Sequence, residues 1–443
     1  MMVGLNSIRQ LRNIGKGHTE FAMKIKDWDS NLKIRLAGEA TFNIILWSFF
    51  PFLTMTFADS FGKGWTGALM MLSQALSVVA NLFGGYCADR FGRKKMMIAA
   101  SCGQAFGYGL FALASASFVD RPSLGFAGFA VASIASSFYY PASQAMVADV
   151  VPDEHRPGVF AVFYTATNIA VVVGPLIGSA FYLNYPSSVL GAASAICAVF
   201  ALLLLRTLRE TLPPDIASRI RERSSGPRYR ILTNQLREYR VIVSDRVFLL
   251  FIVAGVLLSQ TFMQLDLLFP LFLKETVPLA TVFSWGDWSL KLTGEKLFGV
   301  IVSENGLLVA LFTVAVTRWM VRFRDRYVFV GGALFYALGI WMFGQMSTFW
   351  GFTAAIAVFT LAELMSAGPH QAFVSRIAPD HMRGQYFAAS SLRYTLGRTI
   401  APLSVPLSAW IGFPMTFGLL AALAVLSAAL YRLMFNRHER AGA

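Results

Sequence analysis

The chain has 443 residues, 56% of them hydrophobic and only 14% charged, with a mean hydropathy of +0.56. Soluble domains carry about a quarter charged residues, so this composition identifies a membrane protein. Cys87, Cys102 and Cys197 lie far apart, with no Cys-x-x-Cys pair and no Cys/His cluster; a disulfide scaffold and a zinc site are excluded, and no metal or cofactor is expected. The formal net charge of +14 would suit nucleic acid only on a folded polar surface. Here the basic residues stand between apolar runs, so membrane topology accounts for the charge and no nucleic acid partner is expected.

Residues 1–33 carry Arg9, Arg12, Lys16, Lys24 and Lys26, with Leu5, Ile8, Leu11 and Ile14 at helical spacing and no continuous apolar core. They are expected to form an amphipathic cytoplasmic segment rather than a secretory signal. A crossing helix needs roughly 20 mostly apolar residues, and twelve such stretches follow: about 34–57, 66–88, 96–118, 122–146, 158–182, 186–206, 248–273, 298–318, 328–348, 350–372, 384–408 and 412–433. An even number puts both termini on one face. Of 38 Lys and Arg, only Lys63, Arg121, Lys274, Lys291 and Lys296 fall on the opposite face. The positive-inside tendency therefore predicts a multi-pass protein of the cell (plasma) membrane with both termini cytoplasmic.

An Arg-rich cytoplasmic linker, 207–247, separates a first six-helix bundle, 34–206, from a second, 248–433, and 434–443 form a cytoplasmic tail. The bundles also resemble each other. At one constant offset, Gln144-Ala145 matches Gln371-Ala372, Pro152-Asp153 matches Pro379-Asp380, and Arg156, Phe160, Ala161 and Pro175 match Arg383, Phe387, Ala388 and Pro402. Two parallel repeats of six helices follow, giving an all-α integral membrane fold of two pseudo-symmetric bundles.

Between the second and third spans stands Gly85-Tyr86-Cys87-Ala88-Asp89-Arg90-Phe91-Gly92-Arg93-Lys94-Lys95. It resembles the loop signature of the major facilitator superfamily, Gly-x-x-x-Asp-Arg-x-Gly-Arg-Lys. The resemblance implies a latch between the halves built on Gly85, Asp89, Arg90 and Arg93. The corresponding loop of the second half, Arg318 to Arg326, is basic but lacks the pattern. In the fifth span, Gly174-Pro175-Leu176-Ile177-Gly178 is similar to the Gly-Pro-x-x-Gly motif of antiporters in this superfamily, although Ala170 and Ser179 replace glycines of the fuller motif. Its small residues also suit plain close packing of helices.

Over nearly its whole length the chain resembles LmrP-like multidrug transporters, which are twelve-helix drug:proton antiporters. The carriers are Asn31-Leu32-x-x-Arg35-Leu36, Ala88-Asp89-Arg90-x-Gly92-Arg93-Lys94, Asp266 in Gln264-Leu265-Asp266-x-x-Phe269-Pro270, and Glu363 in Leu361-Ala362-Glu363. The likeness implies proton coupling and cationic-drug binding at Asp266 and Glu363. One departure stands out: where that family has a carboxylate near the start of the fifth span, this chain has Phe163.

The residues themselves point the same way. Ionisable groups inside a span are costly and usually face the bundle interior or a wet cavity. Here they are Arg35 and Glu39 (first span), Asp266 (seventh), Glu304 (eighth), Glu363 (tenth), and Arg393 and Arg398 (eleventh); the third, sixth, ninth and twelfth carry none. At about 1.5 Å per residue, Glu363 lies near mid-bilayer, Asp266 in the outer half and Glu39 in the inner half. Arg35 and Glu39, at i,i+4, also suit a purely structural pair, and Glu363 could neutralise Arg398. His370 reads more readily as a boundary histidine than as a proton relay. The abundant aromatic residues could line an apolar cavity, with Trp47, Phe50, Tyr139, Tyr140, Tyr164 and Phe262 as candidates.

No Walker loop, His-Glu-x-x-His or Gly-x-Ser-x-Gly pattern is present, so the protein is not expected to be an enzyme. The expectation is a monomeric secondary transporter with a small amphipathic or cationic substrate, protons and membrane lipids as partners. It would export lipophilic or cationic drugs by proton-coupled antiport and alternating access. The alternatives are a dedicated carrier for one metabolite, peptide or lipid, in which Arg393 and Arg398 would bind an anionic cargo, and a non-transporting receptor or scaffold.

Overall fold

The computed structural model of the chain describes residues 25–152, 155–212, 245–320, 322–367, 369–377 and 383–441. The amphipathic N-terminal segment up to residue 24 and most of the Arg-rich linker lie outside them. The helices are α1 (Ser30–Phe49), α2 (Leu53–Phe91), α3 (Arg93–Ala114), α4 (Pro122–Val150), α5 (Arg156–Ile177), α6 (Pro186–Thr207), α7 (Arg246–Phe262) and α8 (Gln264–Thr276). They continue with α9 (Gly294–Met320), α10 (Asp325–Phe343), α11 (Phe349–Ala367), α12 (Pro369–Ile377), α13 (Arg383–Ile400) and α14 (Ser404–Ala441). Strands β1 (Ala280–Trp285) and β2 (Trp288–Leu292) form an antiparallel hairpin between α8 and α9.

Nine stretches of the described residues are long and apolar enough to cross a membrane. Two of them, 30–91 and 389–440, each contain a glycine in the left-handed region, Gly62 (φ 73°, ψ 161°) and Gly412 (φ 77°, ψ 164°), which breaks the run into two passes. With α4, a 29-residue helix, the chain makes the twelve passes anticipated from sequence. Start signals are local: Asp29 caps α1 by accepting from the Asn31 amide at 2.8 Å, and Asp245 caps α7 by accepting from Val247 and Phe248 at 3.0 and 3.1 Å. Gly92 (φ 99°) turns the chain from α2 into α3.

Helix pairing repeats between the halves. In the first, α1 packs on α5 and α6, α2 on α4, and α3 on α4 and α6; in the second, α7 packs on α13 and α14, α9 on α11, and α10 on α11 and α14. Each pairing in one half has its counterpart in the other, which is the pseudo-symmetry of two six-helix bundles. The halves meet where α5 packs on α9 and where α2 packs on α13 and the start of α14, with Gly67 against Pro402 and Pro406.

Those contacts close one face. Away from the termini, Lys274 pairs with Asp59, Lys63 pairs with Glu275 at 2.7 Å and lies 4.4 Å over the Phe413 ring, and Phe52 meets Phe298 edge-on at 5.5 Å. Met70 joins Met263, Leu267 and Ala401 in a small apolar seal. On the face of the termini each half closes on itself. Arg376 pairs with Asp325, Arg326 with Glu439 at 3.3 Å, and Tyr386 donates to Asp245 at 3.0 Å, all within the second half. Among the described residues no hydrogen bond or ion pair joins the halves on that face.

Candidate functional site

The antiporter-like motif is a packing device in this fold. A side chain at Gly174 would collide with Trp47, and one at Gly178 with the Ser48 carbonyl and Phe52, so these glycines bring α5 against α1. Pro175 follows Gly174 near the end of α5, and the helix loosens into a π turn over Gly178–Tyr182. The Pro175 carbonyl lies 3.0 Å from where a Cβ on Gly299 would sit, and Ser303 donates to the Val172 carbonyl at 2.7 Å. The same stretch of α5 therefore seats the second half at the level of Glu304 and Asn305.

The loop signature is likewise tied down. Arg93 is buried; it pairs with Asp89 and reaches Asp149 of α4 at 3.3 Å. Glu210, just past α6, accepts from the backbone amides of Arg93 (2.9 Å), Thr211 (3.0 Å) and Leu212 (3.1 Å), while Thr211 donates to Asp149 at 3.0 Å. Arg90 stands apart, exposed, donating to Tyr86 at 2.7 Å, and Gly85 has open space around it. Glu210, Thr211 and Asp149 were not singled out from sequence; nothing in their spacing signals that the start of the linker returns to α3.

The charged groups within the spans form two clusters of different character. In the first half Arg35 is fully buried and holds Glu39 through Nε at 2.6 Å and Nη2 at 3.3 Å. Ser143 of α4 donates to the same carboxylate, and Asn43 donates to the Glu39 carbonyl at 2.8 Å. The Phe163 ring lies 4.1 Å from the Arg35 guanidinium and stacks on Trp28 at 6.1 Å. Phe163, the departure noted in the fifth span, thus offers a π face to the Arg35 guanidinium. Arg35 Nη1 is left without a hydrogen-bond partner.

In the second half, α7 ends at Phe262 and the chain restarts as α8, which puts Asp266 in the first turn of a new helix. Gln264 secures that restart: its amide donates to the Gln260 carbonyl at 2.9 Å and the Ala401 carbonyl at 3.2 Å, and accepts from Ser404 at 2.6 Å. Glu363, on α11, accepts from Asn305 of α9 at 3.0 Å, and the same Asn305 amide group donates to Thr360 at 2.9 Å. Asp266 lies within Coulombic reach of both Glu363 and Arg398. Among the described residues neither acid has an ion-pair partner within 4.0 Å. The alternative in which Glu363 neutralises Arg398 finds no ion pair among the described residues; Glu363 is held by a neutral amide, and Arg398 is exposed and acts on Asp266 and Tyr394. Glu304 is half-buried beside Thr353, one residue from Asn305.

The remaining candidates separate. Arg393 lies along Gly255 with its guanidinium 5.3 Å from the Phe251 ring and against Tyr431, and His370 is buried between Tyr431 (Nε2 to OH, 3.2 Å) and the Ser366 carbonyl. Both belong to the packing of the second bundle. Trp47 and Phe50 are half-buried and meet edge-on at 6.2 Å; Phe262 stacks on Phe359 at 6.1 Å; Tyr140 is exposed. Tyr139 is buried against Phe42 and Phe200. The Tyr164 side chain lies outside the described residues. Thr360 shares the helical face of Glu363, as its spacing implies, whereas Asn305 and Ser143 are polar neighbours on other helices that charge alone did not reveal.

The arrangement offers two carboxylates, an amide and a hydroxyl in a bundle interior, with Arg398 in electrostatic reach of Asp266 but no ion pair within 4.0 Å of either acid among the described residues. Such oxygens can hold a proton or a small cation by turns. Comparison with known proteins agrees with the architecture. The family model described as Major Facilitator Superfamily matches residues 37–290 and 279–443. A relative from Planococcus maritimus named Na(+), Li(+), K(+)/H(+) antiporter is 50% identical over 421 residues, covering 94% of this chain and 99% of its own. Multidrug resistance protein MdtH of Salmonella typhimurium (strain LT2) is 22% identical, with 79% of each chain covered. Among solved structures, a peptide transporter POT in complex with alafosfalin superimposes with a TM-score of 0.73 over 94% of this chain and 96% of its own, at 15% identity.

Proposed function

The chain belongs to the major facilitator superfamily and is a secondary transporter, and from that premise we propose that it exchanges monovalent alkali cations for protons. The observation that carries the proposal is the pair Asp266 and Glu363, in mutual electrostatic range, without a basic ion-pair partner and flanked by Asn305 and Thr360. Protons and a small hard cation compete for the same oxygens, so binding of one releases the other. That competition is the coupling. The likeness to the Planococcus maritimus antiporter supports inorganic cations as the cargo in place of the drugs anticipated from sequence.

With the basic face taken as cytoplasmic, the sealed face is external, and we place the entrance to the acids on the cytoplasmic side. From there cytoplasmic cations would reach the acids, and rocking about the α5–α9 and α2–α13 contacts would carry them outward. Each net positive charge moved against 100 mV costs about 2.3 kcal/mol, so net movement of more protons inward than cations outward would use the potential as well as the pH gradient.

A second reading, export of lipophilic cations, is favoured by the exposed Tyr140 and half-buried Trp47 and Phe50 and by the distant likeness to MdtH. One experiment separates the two. Proteoliposomes with an acidic lumen and a lumenal pH dye receive NaCl, KCl, LiCl or a lipophilic cationic dye. Alkalinisation by the salts, lost in Asp266→Asn and Glu363→Gln, supports alkali-cation exchange. Alkalinisation by the organic cation alone supports drug export, and no response to any of them rejects both.

A further inference from the structure

The segment between α8 and α9 suggested no element in the sequence, yet it folds into a hairpin with two chemically distinct faces. Its register pairs Phe283 with Leu290 and Trp285 with Trp288, so these four side chains share one face, with Phe283 in ring contact with both tryptophans at 6.4 and 6.3 Å. The other face carries the pairs Ser284 with Ser289 and Thr281 with Lys291. Gly286, at φ 56°, makes the tight turn. At the base, the pair Ala280 and Leu292 packs on the bundle core, so the apolar face grows directly out of it. Beyond that base none of the described residues buries the two tryptophans: Trp285 is 77% exposed and Trp288 60%.

We propose that this aromatic face of the hairpin lies in the headgroup boundary of the leaflet opposite the termini and anchors the outer ends of α8 and α9 there. The occupant is the bilayer the protein already crosses. Both flanking helices leave the membrane at the hairpin's base, and three other highly exposed tryptophans stand at the same face: Trp65 after the Gly62 break, Trp350 at the start of α11 and Trp410 before the Gly412 break. Together they form the aromatic girdle that tryptophan builds at membrane interfaces, and the hairpin extends it. Strands of five or six residues reach about 16–20 Å, enough to lay both tryptophans along the boundary while Ser284, Ser289 and Lys291 face water.

Fluorescence of the full-length protein in phosphatidylcholine and phosphatidylglycerol vesicles tests this. The emission lost in Trp285→Phe/Trp288→Phe, relative to the unmodified chain, reports the two hairpin tryptophans. It is expected to fall at least about twofold when the lipids carry bromine high on the acyl chain, and to resist aqueous iodide. Ser284→Trp in the double-Phe background places the reporter on the opposite face and should show the reverse, quenched by iodide and not by bromolipid. Hairpin emission open to iodide and blind to bromolipid overturns the proposal. So does bromolipid quenching of both faces, or shielding that disappears when each nanodisc holds a single chain, which would identify a second copy as the cover.

Discussion

Glu39 in the first half and Glu363 in the second are both acids inside the membrane-spanning bundles, yet their surroundings are opposite. Glu39 is neutralised within its own helix by Arg35, whose guanidinium is sandwiched against Phe163, and Ser143 adds a donor from α4. Glu363 meets an uncharged amide, and Asp266, in electrostatic reach, adds to the local negative charge. A carboxylate that already owns a cation has little to gain from a proton or a sodium ion. One that has no ion pair of its own and a second acid in electrostatic reach can accept either. In two bundles with the same helix pairings, this difference is the reason we propose the exchange for the second and a structural load for the first.

The sharpest way to break that assignment is by isosteric neutralisation. Asp266→Asn or Glu363→Gln should reduce cation-driven proton release in proteoliposomes by about 100-fold or more, whereas Glu39→Gln should leave it within about threefold. Equal loss from all three would place the first-half acid in the exchange path.

Next in size is the cost of splitting the first-half pair. Arg35 is fully buried, so Arg35→Leu strands the Glu39 charge and should lower stability in detergent by about 3–5 kcal/mol, while Arg35→Leu/Glu39→Leu should recover most of it. Thermal unfolding followed by size-exclusion chromatography reads both. No comparable drop is expected for Glu363→Gln, because a glutamine there still offers its oxygen to Asn305.

How much of this contrast could be read from the sequence depends on distance along the chain. The twelve passes were legible because each carries its own apolar run, and the acids were legible because charge in such a run is expensive. The Arg35–Glu39 pair was visible at i,i+4. What decides its character, Ser143 and Phe163, comes from other helices and depends on how each helix is rotated, which periodicity does not fix. Asn305 beside Glu363 was hidden for the same reason, and the Phe163 departure pointed only to an absent or moved proton step, not to the Arg35 guanidinium that its ring covers. The hairpin escaped because its exposed aromatic alternation is short and sits between stronger helical signals.

Phe163 gives a smaller test of the same contrast. Removing the ring with Phe163→Ala should cost about 1–2 kcal/mol of stability, the scale of a desolvated cation–π contact, with cation exchange retained. Phe163→Asp should do something different: a second carboxylate beside Arg35 competes for the guanidinium and frees Glu39. The number of protons released per cation, measured by parallel pH dye and isotope uptake, is then expected to rise. An unchanged ratio would mean that Glu39 stays committed to Ser143 and Arg35 even when rivalled.

The weakest levers are the ion pairs that seal the far face. Lys274–Asp59 and Lys63–Glu275 join the halves, but each has a partly exposed partner, and pairs of that kind contribute about 0–1 kcal/mol each. Asp59→Asn/Glu275→Gln should therefore shift the balance of open and sealed states only about 2–10-fold. The shift would register as faster alkylation of Met70→Cys, within the apolar seal, by an impermeant maleimide from the face opposite the termini. High salt should produce part of the same acceleration in the unmodified chain, since screening weakens exposed pairs. The apolar contacts of Met70, Met263, Leu267 and Ala401 are indifferent to salt, so whatever closure survives at high ionic strength measures their share. Should the acceleration in the double variant match that of salt alone, the seal divides between charge and packing, and loading of the distant Asp266 and Glu363 pair would need to bias only the remainder.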